Sequence, residues 1–118
     1  MKFDNLRERT KAFALKVIRF VASLPDSEPY KTIGRQLLRC GTSVGANYRA
    51  ACRARSKADF IAKMKIVEEE GDESLYWMEL IAKINEVKSA MLAELMTEAH
   101  EILCMVVASI KTARSHKN

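Results

Sequence analysis

Three observations predict an all-α fold, an antiparallel up-down-up-down bundle of four helices. Apolar residues recur at alternating steps of three and four in four long segments, each making one stripe on a helix. Only short interruptions separate the segments, so consecutive helices pack as neighbours. The 118 residues include just four Gly and two Pro, too few for a turn-rich β-sandwich or barrel. The length argues for one domain over residues 1–118 with a core large enough to fold alone. With 48% hydrophobic and 30% charged residues, the chain is globular rather than disordered.

The first helix is expected over about 4–24, where Phe3, Leu6, Thr10, Phe13, Val17, Phe20 and Leu24 keep a seven-residue repeat. Pro25 and Pro29 end it, because proline removes a backbone donor and biases the preceding residue out of the α region. Pro29 suits the first turn of the next helix, with Ser27 or Glu28 as candidate caps. The second helix, about 30–54, carries a stripe of mostly small residues: Ile33, Leu37, Cys40, Val44, Asn47 and Ala51. Gly41 and Gly45 lie beside it, each unfavourable by ~1 kcal/mol relative to Ala in a helix, so close approach of a neighbour is their expected use. The stripe keeps its phase across them, which favours one continuous helix over a break near residues 41–43.

Arg55-Ser56-Lys57 reads as a tight connection, with Ser56 as N-cap and Asp59 at the third helical position. The third helix, about 57–85, presents Phe60, Met64, Val67, Gly71, Ser74, Met78 and Ile81. The pattern pauses over 85–89. A fourth helix, about 90–112, presents Leu92, Leu95, Ala99, Ile102, Val106 and Ile110, and residues 113–118 read as a frayed tail.

The formal charge of +5 hides a strong segregation. Residues 1–24 carry +4, residues 25–66 carry +6, residues 67–101 carry −8, and the remainder +3. Two readings follow. Acidic helix 3 complements basic helices 1 and 2 across the bundle or between subunits. Alternatively, the basic end of helix 2 faces phosphate: Arg35, Arg39, Arg49 and Arg53 sit near multiples of the helical period, Arg55 and Lys57 follow, and Arg is a good bidentate phosphate partner. No aromatic series for base stacking is interleaved with them.

Enzyme chemistry is not expected. His100 and His116 lack the Glu-x-x-His spacing of a di-metal bundle, and His100 between Glu98 and Glu101 reads as a solvated residue. Glu69, Glu70 and Glu73 could approach a cation but read as a solvated acidic face. The string Gly41-Thr42-Ser43-Val44-Gly45 lacks the Lys and preceding strand of a phosphate loop. Cys40, Cys52 and Cys104 fit neither a disulfide framework nor a zinc site, and the first two read as small core residues. No cofactor, metal or catalytic residue is predicted. No apolar run reaches the ~18 residues of a membrane span, and the first residues lack a signal-peptide core, so a cytoplasmic location is expected. Asn47, with Ser43 one turn earlier and Ser74 at the matching depth of helix 3, is an inward polar position. It should find a helix-3 side chain such as Ser74 or Glu70, or a backbone carbonyl, and fix register rather than line a pocket.

Gln36-Leu37-Leu38-Arg39-Cys40-Gly41-Thr42-Ser43-Val44-Gly45-Ala46-Asn47-Tyr48, then Arg55-Ser56-Lys57-Ala58-Asp59-Phe60 and Glu73-Ser74-Leu75-Tyr76-Trp77-Met78-Glu79-Leu80, resemble the bacterial four-helix-bundle proteins named after intervening sequences of 23S rRNA genes. The motif is roughly Q-L-x-R-x-x-x-S-x-x-x-N-[IY], and the resemblance covers nearly the whole chain. Many members continue with Ala-Glu-Gly where this chain reads Tyr48-Arg49-Ala50. The resemblance implies a left-handed bundle assembled as a homopentamer. It also implies kinship with the accessory protein of diversity-generating retroelements, a basic pentamer that binds nucleic acid and reverse transcriptase. It offers no catalytic residues; Ser43, Asn47 and Ser74 match its motif and look structural.

The function expected is therefore a non-enzymatic, oligomeric bundle that binds structured RNA or DNA through its basic surface. The alternative is an assembly adaptor that binds protein. An oligomer is expected because helix 3 is apolar on more than one side, with Tyr76, Trp77, Leu80 and Ile84 beyond its core stripe, and helix 4 adds Leu103, Met105 and Val107. In such a ring the acidic helix 3 of one subunit meets basic helix 1 or 2 of the next.

Overall fold

The computed structural model describes residues 2–84 and 89–116, without the side chains of residues 2–4. It consists of α1 (Lys2–Ala22), α2 (Tyr30–Ala51), α3 (Lys57–Ile84) and α4 (Ala90–Ser115). Among the described residues there is no strand, and no helix is long and apolar enough to cross a membrane. α1 and α3 each pack on α2 and α4, so the helices ring a shared core in chain order. Packing register sets their directions. Gly45 lies against Thr10, Gly41 against Val17 and Gly34 against Val21 and Leu24, so numbers rise on α1 as they fall on α2. Likewise Lys57 meets His116 while Gly71 meets Leu103, which opposes α3 and α4. The result is a rod of 52 × 21 × 20 Å.

Helix ends follow local hydrogen bonding. α1 stops two residues short of Leu24 because its last turn tightens: Ser23 and Leu24 N–H donate to the Phe20 and Val21 carbonyls. α2 likewise gives way to tight turns at Arg53 and Ala54, three residues before the expected end. Pro29 takes the N-cap position of α2, and Glu28, one of the two candidate caps, closes the start of the helix, its carboxylate accepting from the Thr32 N–H at 3.1 Å and hydroxyl at 2.8 Å. Ser56 caps α3 by accepting from Asp59 N–H at 3.0 Å, and Asp59 returns an acceptor to the Arg55 N–H at 3.1 Å. Ser89 caps α4 in the same way through the Leu92 N–H. α4 runs to Ser115 rather than fraying at residue 113. The Lys57 ammonium donates to the His116 carbonyl, satisfying a group that a helix end leaves orphaned. The Phe3 side chain, the expected pause over 85–88 and residues 117–118 lie outside the described residues.

The predicted stripes form the core. Leu6, Phe13, Val17 and Phe20 meet Leu37, Val44, Met64, Val67, Met78, Ile81, Leu95, Ile102 and Val106 in one cluster. α2 is continuous through Gly41, where a Cβ would lie 2.9 Å from Val17 Cγ1. Val17 is buried and β-branched, so it could not swing away, and the glycine is what lets α1 and α2 close. Asn47 is less inward than expected, although its partner is one of those expected, a backbone carbonyl. Tyr48 takes the fully buried position, while Asn47 is half-buried and its amide donates to the Ser43 carbonyl of its own helix at 2.9 Å. Cys40 is buried as expected, but Cys52 lies past the end of α2 and is exposed.

α1 is clamped to α4 by Arg9. Its guanidinium donates to Glu98 through Nε at 2.9 Å and Nη2 at 2.6 Å, and to Glu101 at 2.5 Å. These hydrogen bonds hold the Glu98 carboxyl below the usual carboxylate range. A depressed carboxylate stabilises the fold above its unfolded pKa, and that contribution disappears as pH falls through the lowered folded value. Wild type should therefore be more stable than Glu98→Gln at pH 7, and the gap should close in urea titrations as the pH falls below the usual carboxylate range. A gap independent of pH would show that the pair contributes nothing through charge.

Candidate functional site

Alternating helix directions bring the start of α1, the end of α2, the start of α3 and the end of α4 to one end of the rod. Arg7, Lys11, Arg49, Arg53, Arg55, Lys57, Lys111 and Arg114 are all exposed there. Asp59 at this end is engaged by Lys63 at 2.8 Å, and Arg9, between Arg7 and Lys11, is engaged by Glu98 and Glu101. Two of these clusters face each other across a groove of about 510 Å³ between α1 and α2. Small residues, Ala14, Gly45 and Ala46, make its floor; a Cβ on Gly45 would lie 3.3 Å from the Thr10 carbonyl oxygen. Arg7 and Lys11 form one rim, Arg49 and Arg53 the other, with Glu8 the one acidic residue lining it among the described residues.

On each rim the two cations are four residues apart, and for Arg7 and Lys11, both on α1, this is a step of about 6 Å along the helix. Among the described residues, Lys11, Arg49 and Arg53 have no carboxylate partner, so their donors face solvent. Among the described residues, no aromatic side chain lines the groove. Such a surface can hold the phosphates of a backbone but offers no platform for stacking bases.

A model of the family described as 23S rRNA-intervening sequence protein matches residues 5–108 of this chain. The chain belongs to that family. The match takes in both rims of the groove and stops before Lys111 and Arg114. The bundle is also similar to the crystal structure of a protein of unknown function from the S23 ribosomal protein family of Bacteroides thetaiotaomicron. The two share 31% identity at a TM-score of 0.87, over 94% of this chain and 99% of the other. No curated protein matches the sequence.

In this member of the 23S rRNA-intervening sequence family, the cations expected on one ridge are divided. Arg39 turns toward α3, where it donates to Glu73 at 2.5 Å and lies 3.5 Å from Glu70. It is thus neutralised within the subunit, as the complementary-charge reading describes. Arg35 is exposed on the first half of α2, far from the groove, with Nη2 3.5 Å from Thr32 Oγ1. Arg49 and Arg53 enter the groove, although Arg53 sits in the turn after α2. Arg55 and Lys57 share the basic end but do not line the groove. Arg7, Lys11, Lys111 and Arg114 were missing from the expected set. Spacing along one helix cannot reveal them, whereas pairing the first residues of α1 with the last of α2 would have.

The motif residues spend their hydrogen bonds locally. Ser43 Oγ donates to the Arg39 carbonyl at 2.8 Å, and Ser74 Oγ donates to the Glu70 carbonyl at 2.8 Å while lying 3.3 Å from Cys40 Sγ. Burial pushes the Cys40 thiol pKa up, so it stays a neutral packing group. Glu70 and Glu73, two members of the acidic run, face Arg39, and Glu73 also accepts from Trp77 Nε1 at 3.2 Å. Among the described residues, no group of three or more His, Cys, Asp or Glu could hold a metal ion.

The apolar face expected on α3 is smaller than its sequence implies. Trp77 packs against the core, and Leu80 and Ile84 are half-buried by the subunit itself. Tyr76 alone of the four is widely exposed, at 52%, with its ring edge-on to Trp77 at 5.0 Å.

Proposed function

We propose that this protein is a non-enzymatic, oligomeric bundle that binds structured RNA or DNA through the α1–α2 groove and the basic end around it. The observation that carries the reading is the double row of cations, Arg7 and Lys11 facing Arg49 and Arg53, over a floor of small residues. Two parallel rows of charge suit a phosphodiester backbone, and the absence of aromatics predicts binding that depends little on base sequence. Arg55 and Lys57 lie beside the groove and would extend the contact, whereas Arg39 is engaged by Glu70 and Glu73. The kinship implied by the sequence, with a basic nucleic-acid-binding accessory protein, favours the same reading, and the family resemblance itself is the source of the expected five subunits.

Fluorescence anisotropy of labelled duplex RNA and DNA at about 50 mM salt tests the proposal. Binding with similar affinity to unrelated sequences is expected, and no binding at that salt removes the reading. The alternative, an assembly adaptor without a nucleic-acid role, draws on the large apolar side chains left exposed, Leu15, Ile18 and Tyr76 among them. It predicts that charge reversal at Arg49 or Arg53 changes the oligomeric state instead.

A further inference from the structure

Of the described charged residues lining the α1–α2 groove, all but one are hydrogen-bond donors. Arg7, Lys11, Arg49 and Arg53 can only donate, which suits a phosphate oxygen, a group that only accepts. The two threonines of the groove spend their single hydrogens on the backbone. Thr10 Oγ1 donates to the Arg7 carbonyl at 3.2 Å, and Thr42 Oγ1 to the Leu38 carbonyl at 2.7 Å. Glu8 differs from all of these. It is exposed, it has no ion pair among the described residues, and its carboxylate can only accept.

A carboxylate on this rim repels phosphate, and only a hydrogen donor carried by the same ligand offsets that repulsion. The backbone of DNA carries none, since its phosphate and ether oxygens are acceptors. The backbone of RNA carries one per nucleotide, the 2′-hydroxyl. The position of Glu8 fits that group. It follows Arg7 by one residue and precedes Lys11 by three, so along the α1 axis it lies between them, about 1.5 Å from the level of Arg7 and about 4.5 Å from that of Lys11. One sugar joins each pair of consecutive phosphates in a strand. A strand whose phosphates engage Arg7 and Lys11 therefore carries the intervening sugar past Glu8. In an A-form duplex the wide, shallow minor groove displays the 2′-hydroxyls, where side chains on a helix reach them.

We infer that the groove selects RNA duplex over DNA duplex, the Glu8 carboxylate accepting a hydrogen bond from a ribose 2′-hydroxyl between two bound phosphates. This rests on the reading of the groove as a phosphate-backbone site and adds to it the class of backbone. With RNA, the hydroxyl bond offsets the repulsion between Glu8 and the flanking phosphates. With DNA, the same carboxylate meets a sugar without a donor, and only the repulsion remains. The four cations thus supply affinity for either duplex, and Glu8 sets the choice.

Anisotropy with three labelled duplexes of one sequence tests it: RNA, DNA, and RNA methylated at every 2′-oxygen. The methylated duplex keeps the A form but has lost the donor, which separates the hydroxyl from helix shape. A sequence of A·U or A·T pairs alone removes the guanine amino group, the other donor that a carboxylate meets in a minor groove. At about 50 mM salt, wild type should bind RNA about tenfold or more tightly than either other duplex, the effect of one hydrogen bond to a charged group. In Glu8→Ala, a change at an exposed position, RNA affinity should fall and DNA affinity rise until the three converge. Equal binding of the three by wild type, methylated RNA bound as well as RNA, or a preference that Glu8→Ala retains overturns the inference and leaves the groove reading standing. Binding to none of the three overturns the groove reading itself, and the inference with it.

Discussion

Reversing charge at Arg49 and Arg53 together should weaken duplex binding by about 10²-fold or more. A hydrogen bond to a charged partner contributes ~1.5–3 kcal/mol, so losing two is at least ~3 kcal/mol, and the new carboxylates repel phosphate besides. Both side chains are exposed and without a carboxylate partner among the described residues, so the fold loses nothing that it uses. The same reversal at Arg39 should weaken binding far less and cost stability instead, because Glu70 and Glu73 would then face a third carboxylate. Anisotropy and urea unfolding of the two variants side by side separate these outcomes. Equal effects on binding would place Arg39 in the interface and contradict the division made by the structure.

Phe13→Ala should lower the unfolding free energy by ~3–5 kcal/mol, since truncating a buried Phe removes its transfer free energy and leaves a cavity. Phe13 is 1% exposed and sits in the cluster that joins α1 to the other helices. Domains of this kind are stable by only ~5–15 kcal/mol, so the variant should unfold at much lower urea with a similar denaturant slope. Because Phe13 lies between the groove residues Lys11 and Ala14 on α1, a softened core there should also loosen one basic rim. An unchanged midpoint would mean that α1 does not bury this face.

Much of the fold was legible because a helix repeats every 3.6 residues and a buried stripe must follow that period. The stripes of α1, α3 and α4 emerged wherever their side chains are described, with Leu24 and Phe60 at their ends only partly buried. α2 was harder. Its stripe is built from small residues, so Tyr48, adjacent in sequence to the amide chosen, could take the inward place while Asn47 bonded to Ser43. Helix ends shifted by two or three residues because tight turns at Ser23 and Arg53 and the Lys57 bond at His116 leave no periodic trace.

The candidate site was half legible. Arg49 and Arg53 are on it and were expected, but a single helix's spacing groups them with Arg39, which only α3 reveals to be neutralised. Arg7 and Lys11 belong to the groove through packing between α1 and α2, and that register depends on Gly41 and Gly45. The expected apolar face on α3 is reduced within the subunit for a related reason. The sequence shows that Trp77, Leu80 and Ile84 are apolar, but not that neighbouring helices of the same subunit cover part of each.

The central claim, that this groove binds phosphate backbone, is tested most directly by the salt dependence of duplex DNA binding. Each phosphate neutralised releases counterion and contributes about −0.9 to the slope of log K against log salt. Engagement of the four rim cations predicts a slope of about −3.6, falling to about −1.8 in the Arg49→Ala/Arg53→Ala variant. A flat salt response, or a slope that those two substitutions leave unchanged, would contradict it.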